Sequence, residues 1–225
     1  RGARSSPVTR PGTGGEAETH VMAGTQPRRD AYHTAAKRAF TERWLDRSPG
    51  PGKKSGAYSN GGAYDVHPFM LLNYNGKYTD VSTVAHELGH TMQSYFSNKT
   101  QPFPLADYPI FVAEVASTFN EALLIDYMLK NIKDDDQKLA LLGNYLEGIK
   151  STVFRQTQFA EFELRTHELA EKGQQMTGEA PSQLDADITR KYYAQDQGVS
   201  VGADYVQHAT GVTPPLYPHS HAFQY

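Results

Sequence analysis

Apolar residues recur at helical spacing along much of this chain, and the clearest case begins at Asp80. This residue suits the N-cap position of a helix, because its carboxylate can accept hydrogen bonds from the first turn. The apolar positions that follow form one stripe on a helix of about 3.6 residues per turn. They are Val81, Val84, Ala85, Leu88, Met92, Tyr95 and Phe96. The pattern therefore predicts an amphipathic helix whose stripe faces a core.

A second helix is predicted from Asp107 to Lys130, with Asp107 as its N-cap and Pro109 in its first turn. Most of this segment is apolar, so its polar side chains are informative. Those that share one stripe are Glu114, Ser117, Thr118 and Glu121. Carboxylates in apolar surroundings are costly unless hydrogen-bond donors or a metal ion compensate them. The stripe indicates a buried polar site, and the alternative is a solvated groove.

The remaining pattern predicts a mainly α-helical fold with a small β-sheet. A helix is expected from Asp30 to Leu45, with Trp44 in the core. Short strands are expected between Ser55 and Tyr74, just before the helix that begins near Asp80. Beyond Lys130 the chain is again helical, and a last helix is expected from Ser182 to Tyr193.

The predicted helix that follows Asp80 contains the sequence HELGH, from His86 to His90. Two histidines one helical turn apart project from the same face, so both imidazoles can reach one metal ion. This face lies nearly opposite the apolar stripe, which directs both histidines away from the core. Glu87 then lies beside the metal, where it can act as the general base of a zinc peptidase. The alternative is a pair of surface histidines on an amphipathic helix.

Zinc in a catalytic site has three protein ligands, so the motif requires a third. The position for a third histidine further along the same helix holds Phe96, which excludes one class of zinc peptidases. A carboxylate from the second helix can complete the site instead. Glu114 is the preferred ligand and Glu121 a partner for a histidine ring, while the reverse assignment, as in an aminopeptidase, is the alternative.

Composition narrows the function classes further. The formal net charge is −3 and no basic stripe with interleaved aromatic residues occurs, which argues against nucleic-acid binding. The chain has no cysteine, so disulfides and zinc-thiolate sites are excluded. No apolar run is long enough to span a bilayer, and a cytoplasmic location is expected. Residues 1–27 are rich in Gly, Pro, Ser, Thr and Arg without periodicity, which predicts a flexible lead-in.

Several segments together resemble the oligoendopeptidase F branch of the M3, or thimet oligopeptidase-like, zinc peptidases. Besides HELGH at 86–90, they are SGAYS at 55–59, HPFMLLNY at 67–74, FVAEVASTFNEALL at 111–124, FRQTQFAEFE at 154–163 and HELAEKG at 167–173. The resemblance covers most of the chain between about Arg28 and about Tyr193. It implies a zincin-like (gluzincin) fold in which a small β-sheet edge lies beside the zinc helix, with 28–208 as the catalytic core and 209–225 as an irregular tail.

The resemblance also implies one zinc ion per chain, bound by His86, His90 and Glu114, with Glu87 catalytic and short peptides as substrates. It implies that an extended peptide pairs with the HPFMLLNY strand, where His67 is a candidate substrate contact; an ordinary buried strand is the alternative. In the family, a tail rich in tyrosine and histidine stabilises the oxyanion. His219 is the candidate for that catalytic role here, with His221 and Tyr225 as further candidates. A truncated core that binds zinc without catalysis is the alternative function.

Overall fold

The computed structural model describes residues 13–175, 177 and 179–193. This part of the chain is mostly helical with one small sheet, as predicted. In order, the elements are α1 (Gly14–Gly24), α2 (Asp30–Thr41), β1 (Leu45–Asp46), β2 (Tyr58–Asn60), β3 (Phe69–Leu71), α3 (Tyr78–Thr100), α4 (Phe103–Ala106), α5 (Ile110–Asn131), α6 (Asp135–Ile149), a π-helical turn (Lys150–Phe154), α7 (Arg155–Glu171) and α8 (Glu179–Tyr192). None of the described helices combines the length and apolar character needed to cross a bilayer.

The chain divides into two compact units, with the boundary between Tyr145 and Leu146. The first unit contains the sheet, the helices from α1 to α5 and most of α6. The second contains the π-helical turn, α7 and α8, where Gln158 donates a hydrogen bond to Thr189 at 2.7 Å. The boundary falls within the range 28–208, which the sequence predicted as the catalytic core and which stays a prediction. The predicted tail over 209–225 lies outside the described residues.

Helix α1 occupies a segment that the sequence predicted to be flexible. Thr13 caps it, since its hydroxyl accepts a hydrogen bond from the Glu16 amide at 3.3 Å, and the Glu16 carboxylate accepts one from the Thr13 amide. Ala17 and Val21 are buried, at 1% and 0% exposure. The prediction of a flexible lead-in over 1–27 is therefore wrong for Gly14–Gly24, because tertiary packing compensates for glycines that weaken the helical pattern.

The sheet has the strand order β1-β3-β2, so β3 is its central strand. Leu45 pairs with Met70 in the parallel ladder, and Ser59 pairs with Met70 in the antiparallel one. The expectation that the HPFMLLNY strand presents an edge to a peptide is therefore wrong, since both sides of β3 are paired. Among the described residues, β2 pairs only with β3, and Ser59 Oγ lies 2.8 Å from Thr91 Oγ1 on α3. Of the described strands, β2 is therefore the one that contacts α3 and also has an unpaired side.

The two helices that carry the candidate metal ligands begin at other residues than predicted. Helix α3 begins at Tyr78 after Lys77, and the carboxylate of Asp80 accepts hydrogen bonds from the amides of Asn75 and Lys77, both at 2.9 Å. Asp80 therefore caps the helix from inside its first turn rather than from the N-cap position. Helix α5 begins at Ile110 with Pro109 as its N-cap, since Asp107 has extended backbone at the end of α4.

The core forms where α3 packs against α5, α1 and the sheet. The predicted stripe on α3 is buried, with Leu88 at 0% and Met92 at 1% exposure, and Trp44 is buried at 1%. The predicted burial of Trp44 and of this stripe is confirmed, although Tyr95 and Phe96 are only partly buried. By contrast, Phe111, Val115 and Phe119 on α5 are exposed by 61%, 59% and 49%. Both carboxylates considered as a third metal ligand lie on this same helix, α5.

Candidate metal centre

The side chains of His86 and His90 meet on one face of α3. Their Nε2 atoms lie 3.1 Å apart, and both rings are partly buried. The separation follows from the helix, because residues one turn apart project their side chains in the same direction. The ring planes are nearly perpendicular, at 85°. Both nitrogens can therefore direct a lone pair toward one point between the rings.

Glu114 of α5 supplies a third ligand atom at this point. Its Oε2 lies 3.4 Å from His86 Nε2 and 3.6 Å from His90 Nε2, and the residue is only 8% exposed. Ser117, one turn further along α5, donates a hydrogen bond to the same oxygen at 2.8 Å. A carboxylate this deeply buried is costly without compensation. The arrangement places its negative charge against two imidazoles.

These three atoms fit the size of a zinc site. With metal-ligand bonds of about 2.1 Å and tetrahedral angles, neighbouring ligand atoms are separated by about 3.4 Å. The observed separations of 3.1, 3.4 and 3.6 Å bracket this value. Two imidazoles and one carboxylate also leave a fourth position open, which is characteristic of catalytic rather than structural zinc sites.

Gly89 allows α3 and α5 to approach closely enough to form this cluster. A Cβ atom at this position would lie 2.6 Å from the Ala116 carbonyl oxygen and 2.6 Å from the Ser117 Cα atom. Real Cβ atoms do not approach backbone atoms this closely, so only glycine fits without displacing α5. The apolar pattern along α3 gave no indication of this role for Gly89. Its place between the two histidines of the motif was the signal that could have identified it.

Glu121 lies on the opposite side of the His86 ring from Glu114. Its Oε2 is 3.3 Å from His86 Nδ1, and its Oε1 accepts a hydrogen bond from Ser82 at 3.0 Å. This is the position that the sequence predicted for a partner of a histidine ring. A carboxylate at Nδ1 keeps the proton on that nitrogen and leaves Nε2 free to bind a metal. The three converging ligand atoms belong to His86, His90 and Glu114, and Glu121 contributes none of them.

Glu87 points into the protein beside the first histidine. It is only 6% exposed, and its Oε2 has no hydrogen-bond partner among the residues that the structure describes. Burial raises the pKa of this carboxyl group to about 7, and the negative charges of Glu114 and Glu121 act in the same direction against the effect of His86. A buried carboxylate oxygen without a partner is rare in proteins and typical of groups that meet a substrate or a water molecule.

The two histidines have opposite pKa shifts. Burial lowers the pKa of His90, and the charge of His86 lowers it further. For His86 burial also acts downward, but the hydrogen bond to Glu121 and the surrounding carboxylates outweigh it and raise the pKa. Among the groups that raise the pKa of His86, Glu121 contributes most, followed by Glu87 and Glu114. The lowered pKa of His90 favours the neutral imidazole, which is the form that binds metals.

Of the remaining candidate residues from the sequence, the structure describes His67 alone. His219, His221 and Tyr225 fall outside the described residues. His67 precedes β3, and its ring stacks on Trp44 with a centroid separation of 4.7 Å and an interplanar angle of 1°. Its Nδ1 lies 2.9 Å from the Pro68 carbonyl oxygen. These contacts of His67 are with Trp44 and Pro68, and neither residue belongs to the cluster of candidate metal ligands.

The chain is similar in sequence to one family of known proteins. The sequence profile of Peptidase family M3 matches residues 21–211. The group B oligopeptidase PepB of Streptococcus agalactiae is 43% identical over 196 residues, which are 87% of this chain and 32% of that protein. The oligopeptidase PepF of Bacillus subtilis is 38% identical over 212 residues, which are 93% of this chain and 31% of that protein. The chain therefore spans about a third of the length of the curated relatives it matches.

Solved structures show the same fold. A crystal structure from Chlamydophila abortus superposes with a TM-score of 0.72 at 41% identity, over 88% of this chain and 33% of that one. Oligoendopeptidase F from Enterococcus faecium superposes with a TM-score of 0.58 at 28% identity, over 93% of this chain and 29% of that one. With the family profile and these relatives in agreement, the chain belongs to peptidase family M3, as a member that resembles the oligoendopeptidase F proteins.

Proposed function

We propose that this chain is the catalytic part of a zinc-dependent metalloendopeptidase that cleaves internal bonds of short peptides. The observation that carries the proposal is the convergence of His86, His90 and Glu114, whose ligand atoms all lie within 4.8 Å of one another. The buried carboxylate of Glu87 stands on the same helix as both histidines. The relatives are named oligopeptidases and oligoendopeptidases, which supports short peptides as the substrate class.

The roles of the residues follow from their positions. His86, His90 and Glu114 would hold one zinc ion, while Glu121 and Ser117 orient two of these ligands. When bound, zinc supplies Lewis-acid chemistry, which polarises a peptide carbonyl and lowers the pKa of a water molecule to about 7. Glu87 accepts the proton of the attacking water and then delivers it to the leaving amine. No side chain of the protein needs to form a covalent bond with the substrate.

The peptide would extend along the unpaired side of β2. Backbone groups at a strand edge can pair with an extended peptide whatever its side chains are. Ser59 on this strand contacts Thr91, the residue directly after His90, so the strand lies alongside the helix that carries the metal ligands. This assigns to β2 the role that the sequence analysis gave to the HPFMLLNY strand. His219 as an oxyanion stabiliser and a cytoplasmic location stay predictions from the sequence.

The direct test is hydrolysis of an internally quenched fluorescent peptide of about eight residues, with zinc content measured on the same sample. We expect cleavage at an internal bond that stops when a chelator is added and returns with zinc. Removal of only the N-terminal residue would indicate an aminopeptidase instead. One zinc ion per chain without any cleavage would indicate the alternative function, a truncated core that binds the metal and lacks catalysis.

Substitution can show which of the two carboxylates, Glu114 or Glu121, is the metal ligand. We expect Glu114→Ala to lose zinc, because it removes a ligand atom, and Glu121→Ala to retain zinc with about 10- to 100-fold weaker affinity, because it removes only the partner of His86. Zinc affinity measured by competition with a chromophoric chelator provides the readout. Glu147→Ala is the control, since its carboxylate is exposed and its ion pair among the described residues is with Lys150. Zinc loss in the Glu121 variant alone would reverse the assignment.

A further inference from the structure

A buried amide on α5 links three elements around the first histidine. Asn120 is fully buried, and its Nδ2 donates hydrogen bonds to the Tyr32 hydroxyl at 2.6 Å and to the Ala85 carbonyl oxygen at 3.1 Å. Its Oδ1 accepts a hydrogen bond from the Arg28 guanidinium at 3.3 Å. Both polar atoms of the amide therefore have partners inside the protein, which a buried amide requires.

The partners also fix the orientation of the amide. The guanidinium of Arg28 can only donate hydrogen bonds, and the Ala85 carbonyl oxygen can only accept them. In a flipped amide, the NH2 group would face the Arg28 donors and the amide oxygen would face the Ala85 oxygen, so neither hydrogen bond could form. Arg28 is itself held in place, because its guanidinium lies over the rings of Tyr32 and Phe119 at 5.0 and 4.5 Å. The amide can consequently take one orientation, with its donor toward α3.

The hydrogen bond to α3 falls at the residue before the first candidate ligand. Ala85 directly precedes His86 on α3, and Asn120 directly precedes Glu121 on α5. Two neighbouring residues of α5 thus contact this turn, one through the backbone of Ala85 and one through the His86 ring, 3.3 Å from its Nδ1. The first contact fixes the position of the helical turn, and the second fixes the rotation of the ring.

We propose that Asn120 is a positioning residue for the metal centre, which sets His86 at the distance from Glu114 that a metal ion requires. Arg28 acts through Asn120 by orienting its amide, and the Tyr32 hydroxyl anchors the amide nitrogen. This inference rests on the proposed function, because it assumes that the cluster binds zinc. A buried amide whose oxygen and nitrogen both have partners restricts the helices to one arrangement, whereas apolar packing alone tolerates small shifts.

The variant Asn120→Asp tests the hydrogen bond from Asn120 Nδ2 to the Ala85 carbonyl oxygen. Aspartate has the same shape, and its carboxylate can accept hydrogen bonds from Arg28 and from the Tyr32 hydroxyl. It cannot donate to the Ala85 carbonyl, and it meets that oxygen with negative charge. In the full chain, we expect the zinc Kd to rise about tenfold, as measured by competition with a chromophoric chelator. The visible absorption of the Co²⁺-substituted protein should also change, because its intensity depends on ligand geometry.

Leu124→Ala is the matched control. Leu124 is a buried apolar residue of the same helix, at 1% exposure, and it makes no hydrogen bond through its side chain. We expect this variant to lower the Tm of the zinc-free protein and to leave the zinc Kd within about twofold and the Co²⁺ spectrum unchanged. A normal zinc Kd in Asn120→Asp, with a Tm lowered as in the control, would show a purely structural role and overturn the inference.

A second variant keeps the test decisive if the buried aspartate prevents folding. Tyr32→Phe removes the hydroxyl that accepts a hydrogen bond from Asn120 Nδ2, while the shape of the ring is retained. We expect a few-fold rise in the zinc Kd, and an unchanged Kd would contradict the positioning role of this hydrogen-bond network. Absence of zinc binding by the unsubstituted chain would instead overturn the proposed function itself. The two failures are therefore distinguishable by the behaviour of the unsubstituted chain.

Discussion

Glu87→Gln is expected to reduce peptide hydrolysis about 10²- to 10⁴-fold while the chain keeps its zinc, because the amide cannot accept the proton of the attacking water. Glutamine preserves the shape of the side chain and leaves His86, His90 and Glu114 in place. It also removes a carboxyl group that is 6% exposed and has an oxygen without a partner among the described residues. Stability should therefore be unchanged or slightly higher. Steady-state kinetics, zinc content and Tm together measure the three effects.

Glu147→Gln serves as the control for this substitution, since it makes the same chemical change at an exposed position. It should leave hydrolysis, zinc content and Tm unchanged. Turnover near that of the unsubstituted chain in the Glu87 variant would remove Glu87 from the role of general base. Loss of zinc in that variant would show that the carboxylate supports the ligands rather than the proton transfer.

Gly89→Ala is expected to destabilise the protein by about 3 kcal/mol or more and to abolish zinc binding, because the added methyl group overlaps the backbone of α5. The nearest atoms would be the Ala116 carbonyl oxygen and the Ser117 Cα atom, each at 2.6 Å. Backbone atoms cannot rotate away as the end of a long side chain can. Relief therefore requires α3 and α5 to separate, which moves Glu114 away from both histidines. Thermal unfolding and zinc titration measure the outcome.

Gly143→Ala is the matched control, because Gly143 lies in α6 and a Cβ atom there meets nothing within 4 Å. Alanine has the higher helix propensity, so this variant should gain about 0.5–1 kcal/mol of stability and keep its zinc affinity. If Gly89→Ala behaved in the same way, the close crossing of α3 and α5 would not be what brings the three ligand atoms together.

The parts of the site that sequence reasoning identified depend on local geometry. His86 and His90 share a face because they lie one helical turn apart, and Glu114 stood out as a carboxylate in an apolar helix. The roles of Gly89 and Asn120 depend on which helix packs against α3 and at which residue. That information is non-local, so periodicity along the chain could not provide it. A glycine inside a strong helical pattern was the one available signal of a close approach.

The errors in the predicted fold have the same origin. The strand that follows His67 was expected at an edge, but strand order depends on pairing between distant segments, and β3 is central. Asp80 and Asp107 both match the composition of helix caps. In the structure Asp80 acts from the third helical position, and α5 begins at Ile110 with Pro109 rather than Asp107 as its N-cap.

The contact between the hydroxyl groups of Ser59 and Thr91 joins β2, which has one unpaired side among the described residues, to α3 at the residue that follows His90. A peptide paired with β2 would therefore be held at a fixed position relative to the candidate metal ligands on α3. Its register along the strand, rather than the identity of its side chains, would then decide which bond is cut. A strand of three residues can hold only a short stretch of backbone, so many different sequences could adopt a productive register. Such an enzyme would degrade mixed peptides broadly instead of recognising one sequence.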